Sequence, residues 1–327
     1  MKSTGKEPGA LLPRIALFSA ALIWGSSFVA MKNAVGVFPV NILLACRFGV
    51  SFLALSAVFF RRLKAINPDY LKKTALIGFL LYIAYIFQTI GLKSTTPGKN
   101  AFLTAAYVVL VPFVHWLAGK RKPTLKNIAA AVVCLAGISL ISLAPGPEML
   151  SGGFSVNIGD ACTLAGALFF AGHIVFLGIF TQGKDPVLIT LLQFGYCTVY
   201  FGLTGFLLET MPVSPAPADI LNLLYLAFLC TALAMLFQNY GQKYVSPSAA
   251  SLIMSLEAVF GVAFSVLLYN EVLTLRLTLG FCLVFAAIII SEAQSTFVNR
   301  QNPLRFPVRQ RVKPRRRYTR KAPSRRV

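Results

Sequence analysis

The motif Phe87-Gln88-x-x-Gly91-x-Lys93-x-x-x-Pro97 recurs as Phe237-Gln238-x-x-Gly241-x-Lys243-x-x-x-Pro247, at an offset of 150 residues in a chain of 327. A chain built this way has two related halves, and each copy of the motif closes one long apolar stretch and opens the next. Ten such stretches are present, at 15–31, 40–60, 74–92, 102–118, 128–143, 158–180, 187–208, 220–240, 249–269 and 275–291. Each is roughly as long as a helix needs to span the hydrocarbon core of a bilayer, several at the short end. Hydrophobic residues make up 57% of the chain and charged residues 13%, against about 25% charged in a soluble domain. Lipid is therefore the expected solvent. Backbone groups find no partners in lipid, so the stretches must be helices. A transmembrane barrel would need short alternating strands, and these runs do not alternate.

The repeat extends further. Thr124-Leu125-Lys126 matches Thr274-Leu275-Arg276 at the same offset, and Arg47-Phe48-Gly49 matches Gln193-Phe194-Gly195 at an offset of 146. Four extra residues must then fall between the seventh and eighth stretches, where the Pro-rich run 211–217 tolerates an insertion. Five helices per half is an odd number, so the second half enters from the opposite side. The expected fold is an all-α integral membrane protein of ten transmembrane helices in two inverted five-helix repeats. The halves are set at 15–144 and 158–293, between an N-terminal segment 1–14 and a basic tail 294–327. The first stretch lacks a small-x-small cleavage site and is read as a retained helix.

Loops 61–73 and 120–126 are basic, whereas 144–157 and 209–219 contain no Lys or Arg. The positive-inside rule places the first two in the cytoplasm, with both termini, in the plasma (inner) membrane. Lys32 and Lys99 then fall near the outer surface as mild exceptions. The net charge of +21 is concentrated in the tail, with twelve bases and no acid from Arg300 onward. Residues 302–327 are expected to be disordered and suited to anionic lipid headgroups; nucleic acid is not an expected partner. The six cysteines lie in apolar stretches without a C-x-x-C pair, and no Gly-rich phosphate loop occurs. No metal, disulfide or other cofactor is expected.

Glu257 stands near the middle of the ninth stretch between Leu256 and Ala258. An ionised carboxylate there is costly unless it is paired or faces water. It is therefore read as a proton carrier or a counter-ion for a cationic substrate, with a protonated helix–helix hydrogen bond as the structural alternative. Its repeat position is Tyr107, so the halves differ there. Arg47 is read as an anion anchor or an ion-pair partner for Glu257, with snorkelling to the surface as the alternative. Its repeat mate Gln193 keeps hydrogen-bonding capacity without charge. Gln88 and Gln238 are placed near the cavity-distal ends of the third and eighth helices, where helix stitching is the simpler reading. Trp24, Ser26 and Ser27 lie deep in the first helix and suit either close packing or a substrate path. His173 occupies the repeat position of Ser27 and is either a buried hydrogen-bonded imidazole or a titrating group. Together Trp24, Ser26, Arg47, Gln88, Tyr107, His173, Gln193, Gln238 and Glu257 are the polar or aromatic groups expected around a central substrate cavity.

Ala21-Leu22-Ile23-Trp24-Gly25-Ser26-Ser27-Phe28, then Arg47-Phe48, then Glu257-Ala258-Val259-Phe260 followed by Leu267-Leu268-Tyr269-Asn270-Glu271 run in the order seen in EamA-type proteins. From Ile15 to Ser291 the chain resembles this family of the drug/metabolite transporter superfamily. Ala258 stands where the family has Pro, Asn270 where it has Gly, and Lys120-Arg121 where the first half would carry "g-E". The resemblance implies a secondary exporter of small metabolites (amino acids, amines or drugs) working by alternating access, and not an enzyme; Glu257 is the expected carrier for proton antiport, with facilitated diffusion as the alternative. Two rivals stand beside it: an intramembrane hydrolase using Ser26 or Ser27 with His173, and a scaffold or receptor acting through its tail.

Overall fold

The computed structural model describes residues 11–119, 122–142, 157–210 and 215–292. The tail with its expected disorder and headgroup binding, Lys120-Arg121, most of loop 144–157 and part of the Pro-rich run 211–217 lie outside the described residues. Among the described residues thirteen α-helices follow one another: α1 Leu11–Ala34, α2 Val40–Val58, α3 Pro68–Lys93, α4 Pro97–Ala105, α5 Tyr107–Leu117, α6 Leu125–Ser142, α7 Ile158–Phe180, α8 Pro186–Leu208, α9 Pro217–Tyr225, α10 Ala234–Tyr244, α11 Pro247–Met254, α12 Leu256–Tyr269 and α13 Leu275–Glu292. A short 3-10 helix, Phe60–Ala65, follows α2, and a π-helical segment, Leu226–Leu233, joins α9 to α10. No strand occurs among the described residues.

Among the described residues, eight spans are long and apolar enough to cross a membrane. They are α1, α2, α3, α4 with α5, α7, α8, α9 through α10, and α11 with α12. The apolar helices α6 and α13 are shorter; at 18 residues each they reach about 27 Å against a hydrocarbon core of about 30 Å. Several spans begin earlier than the apolar pattern suggests, because a cap and a proline set the start. Asn67 accepts from the N–H groups of Asp69 and Tyr70, both at 3.1 Å, so α3 begins at Pro68 rather than near residue 74. Thr96-Pro97 and Ser246-Pro247 start α4 and α11 in the same way, 150 residues apart. Proline at the first helical position gives up no bond and presets φ.

Packing follows the repeat. Helices α2 and α8, which are repeat mates, pack against each other, as do α6 and α13. The α3–α7 contact is repeated as α10–α1. Close-approach glycines fix the register: Gly91 lies against Gly159 and Thr163, and Gly241 against Pro13 and Leu17. The partners in those two contacts differ by the 146-residue offset, and the glycines themselves by 150. The halves are thus related by an approximate two-fold axis. Helix α1 starts beside the end of α10, and its mate α7 starts beside the end of α3, at the opposite end of the bundle.

Two stretches expected to be continuous are interrupted. The fourth breaks at Ala106 (ψ −18°) and the ninth at Ser255 (ψ −14°), tighter than α-helical backbone. Neither break carries a proline or glycine. The breaks fall in corresponding positions of the two halves, the arrangement that builds sites in inverted-repeat membrane proteins.

Candidate functional site

The interrupted spans bring Tyr107, one residue beyond its break, and Glu257, two residues beyond its break, to the same point. These repeat mates line the same cavity within interaction range of each other, so they meet near the approximate two-fold axis. Both are buried. A cavity opens beside them, with room for the centre of a water-sized sphere over about 50 Å³, enough for a few waters. Aromatic and sulfur-bearing walls come from Trp24, Tyr85, Phe170, Met235 and Met254.

Of the nine residues expected around a cavity, seven line this one: Trp24, Arg47, Gln88, Tyr107, His173, Gln238 and Glu257. Ser26 does not; its hydroxyl donates to the Ile23 carbonyl at 2.7 Å and pairs with the Tyr225 hydroxyl. Gln193 stands behind the lining, where its side-chain oxygen bonds His173 Nε2 at 3.2 Å. Ser27 lines the cavity instead of Ser26. Gln88 and Gln238 reach the cavity rather than its distal ends, because α3 and α10 run past them for another turn. Gln88 donates to the Thr104 hydroxyl at 3.1 Å.

Arg47 does not snorkel; it is 1% exposed. Its Nε donates to the Thr231 hydroxyl and its Nη2 to the Cys230 carbonyl at 3.2 Å. Its guanidinium lies 5.0 Å from the Tyr85 ring centroid, within cation–π range. Trp24 Nε1 donates to the same Cys230 carbonyl at 2.9 Å, and Ser51 donates to the Ala227 carbonyl at 2.7 Å. All of these acceptors sit in the π-helical segment, and such wide turns recur at functional sites. Among the described residues no carboxylate lies within ion-pair distance of Arg47. A buried guanidinium held by neutral acceptors keeps its charge available to the cavity.

Sequence reasoning missed several members. Tyr85, Asn100 and Thr104 line the cavity; Asn100 donates to the Thr163 hydroxyl at 2.7 Å and to the Gln88 carbonyl at 3.2 Å. Glu257 is also not the only buried acid within a span. Asp160, in the first turn of α7, is 0% exposed, and Lys99 Nζ lies 3.0 Å from its Oδ2. Glu271 turns back onto α4, where it accepts from the Gly98 N–H at 3.0 Å and from the Thr96 and Ser265 hydroxyls. The signal for these three was only their charge beside an apolar stretch.

The serines and histidine expected of a hydrolase do not pair. Ser26 and Ser27 bond to backbone carbonyls of their own helix, and His173 bonds Gln193.

Comparison with known proteins agrees with the repeat. Residues 12–143 and 157–292 each match the EamA-like transporter family. An uncharacterized transporter of Archaeoglobus fulgidus is 30% identical over 84% of this chain and 84% of its own. The uncharacterized transporter YoaV of Bacillus subtilis is 22% identical over 85% of this chain and 95% of its own. The human adenosine 3'-phospho 5'-phosphosulfate transporter 1 is 25% identical over 61% of this chain and 47% of its own. A protein crystal structure, 18% identical, superposes with a TM-score of 0.63 over 86% of this chain and 97% of that one. The multi-pass helical bundle is a membrane transporter rather than an enzyme, and the chain belongs to the EamA-like transporter family.

Proposed function

We propose that the chain is a secondary-active exporter of small metabolites, working by alternating access with the cavity beside Glu257 as its substrate site. The observation that carries this reading is the meeting of two interrupted spans at Tyr107 and Glu257, with Arg47 facing the same cavity. In this reading all ten apolar helices cross the plasma (inner) membrane, each five-helix half, 15–144 and 158–293, acts as one unit, and both termini are cytoplasmic. Amino acids, amines and cationic drugs suit a cavity that presents one carboxylate and one guanidinium among aromatic walls. The name of the human relative adds nucleotide anions to the candidates, which Arg47 is equipped to meet.

Glu257 is the coupling carboxylate. It exchanges its proton with the cavity, and substrate charge competes with that proton for the site. A thermal-shift screen of the purified protein identifies the ligand, since a compound at about 100 times its Kd adds about 2.7 kcal/mol to the native state. The hit is then assayed in proteoliposomes under an imposed pH gradient. Glu257→Gln keeps shape and hydrogen bonding but cannot titrate, so it is expected to stay folded and to lose gradient-driven transport. Wild-type rates with unchanged pH dependence in Glu257→Gln would make Glu257 structural and remove the coupling.

A further inference from the structure

The two ends of the bundle descend from one repeat but are held differently. At one end the α3–α4 turn is gripped by three other helices or their caps. Lys32 at the end of α1 donates to the carbonyls of Leu92, Lys93 and Thr95 at 2.7, 3.0 and 2.8 Å. Glu271, just beyond α12, caps the start of α4. Lys99 on α4 pairs with Asp160 on α7 at 3.0 Å, with side-chain exposures of 13% and 1%. At the opposite end the repeat equivalents of Lys32, Lys99 and Asp160 are Gly178, Ala249 and Arg14. There Gly178 lies against Pro247, and among the described residues no ion pair joins the α10–α11 turn to another helix.

The cavity shares this asymmetry. Met31, Leu92 and Asn100 line it, next in sequence to Lys32, Lys93 and Lys99. Their repeat mates Leu177, Gln242 and Ala250 do not line it and are buried in packing. The cavity therefore lies nearer the charged end, and at the other end the equivalent positions are buried and do not reach it. Lys32 binds backbone carbonyls of the α3–α4 turn, and Glu271 binds the Gly98 N–H and the Thr96 hydroxyl that caps α4, so both fix the shape of the turn. Lys99–Asp160 differs, because it is an ion pair across the seam between α4 and α7. Its charges are desolvated when paired and hydrated when parted, so it separates only as water enters.

We infer that Lys99 and Asp160 form the gate of the α3–α4 end, an ion pair that parts whenever the cavity opens to that side. The inference rests on the alternating-access reading above. The test places a reporter in the cavity wall, Ser27→Cys, and adds a membrane-impermeant maleimide to either face of sealed vesicles. Labelling of residue 27 is read by peptide mass, which separates it from the native cysteines. From the α3–α4 side, Asp160→Asn is expected to raise the labelling rate about fivefold, the scale of losing one modest stabilising contact. Lys99→Gln alters the more exposed partner and is expected to act alike, which keeps the test open if Asp160→Asn does not fold. The exchange of Lys99→Asp with Asp160→Lys is expected to bring the rate back toward that of the parent. Labelling from that side that ignores the single variants, or an exchanged protein that folds yet labels like them, overturns the gate and leaves alternating access standing. A residue 27 that labels from neither side in any variant overturns alternating access itself.

Discussion

Asn270 ends α12 with φ +52° and ψ +35°, the left-handed conformation that L side chains rarely adopt. Asparagine tolerates it far better than a branched residue does, which explains why Asn serves where the family has Gly. The reversal returns the chain so that the Glu271 N–H reaches the Ser265 carbonyl at 3.2 Å and the Glu271 carboxylate reaches α4. Asn270→Val is expected to cost about 1–2 kcal/mol and to loosen the α4 cap, whereas Asn270→Gly should be close to neutral. Thermal unfolding in detergent separates the two. Single residues were partly legible in the sequence. Arg47 and Glu257 stood out because charge in an apolar stretch needs a reason. Asn100, Thr104 and Tyr85 gave no such signal, since uncharged polar and aromatic groups are ordinary in membrane helices and their convergence is set only by tertiary packing. Asp160 drew no reading, since an acid at a helix start is ordinary; its partner Lys99 is 61 residues away in sequence.

At the scale of elements, the spans were legible because lipid leaves the backbone no alternative to helix. Their starts and interruptions were less so. The breaks at Ala106 and Ser255 carry no proline or glycine, and the π-helical segment has no sequence mark at all. Close packing was encoded more openly, in glycines that recur with the repeat. A Cβ on Gly91 would strike the backbone of Gly159, which cannot give way, as well as Thr163. Gly91→Ala is therefore expected to push α3 from α7 and to cost about 1–3 kcal/mol. Gly172, where a Cβ would lie 3.6 Å from Leu80, is the control: Gly172→Ala should be neutral or gain up to about 1 kcal/mol from helix propensity. Equal melting temperatures for the two variants would show that the α3–α7 contact is not close-packed.

At the scale of the whole molecule, one face gathers Arg62, Asp69, Lys184 and Asp185, with Arg62 and Asp185 2.7 Å apart and Lys184 paired to Asp69. The sequence placed loop 61–73 on the cytoplasmic side, and these pairs draw the α7–α8 turn to that same face. The short helices α6 and α13 decide the crossing count. Five spans separate Lys64 from Ala218 if α6 crosses, and four if it does not. Lys64→Cys and Ala218→Cys are both exposed and are expected to label from opposite faces of the membrane, Lys64→Cys from the cytoplasm. Labelling from a single face would remove α6 from the set of crossing helices.

The Tyr107–Glu257 contact also bears on the ancestry of such a chain. Two identical half-length polypeptides assembled about the same axis could place only a pair of tyrosines or a pair of glutamates at this spot. Paired phenols would leave no acid, and paired carboxylates could sit at close range only by sharing one proton. A phenol facing an acid at one central point needs two halves whose sequences differ. Divergence of the two halves thus gives this bundle a chemical asymmetry at its centre that identical subunits could not supply.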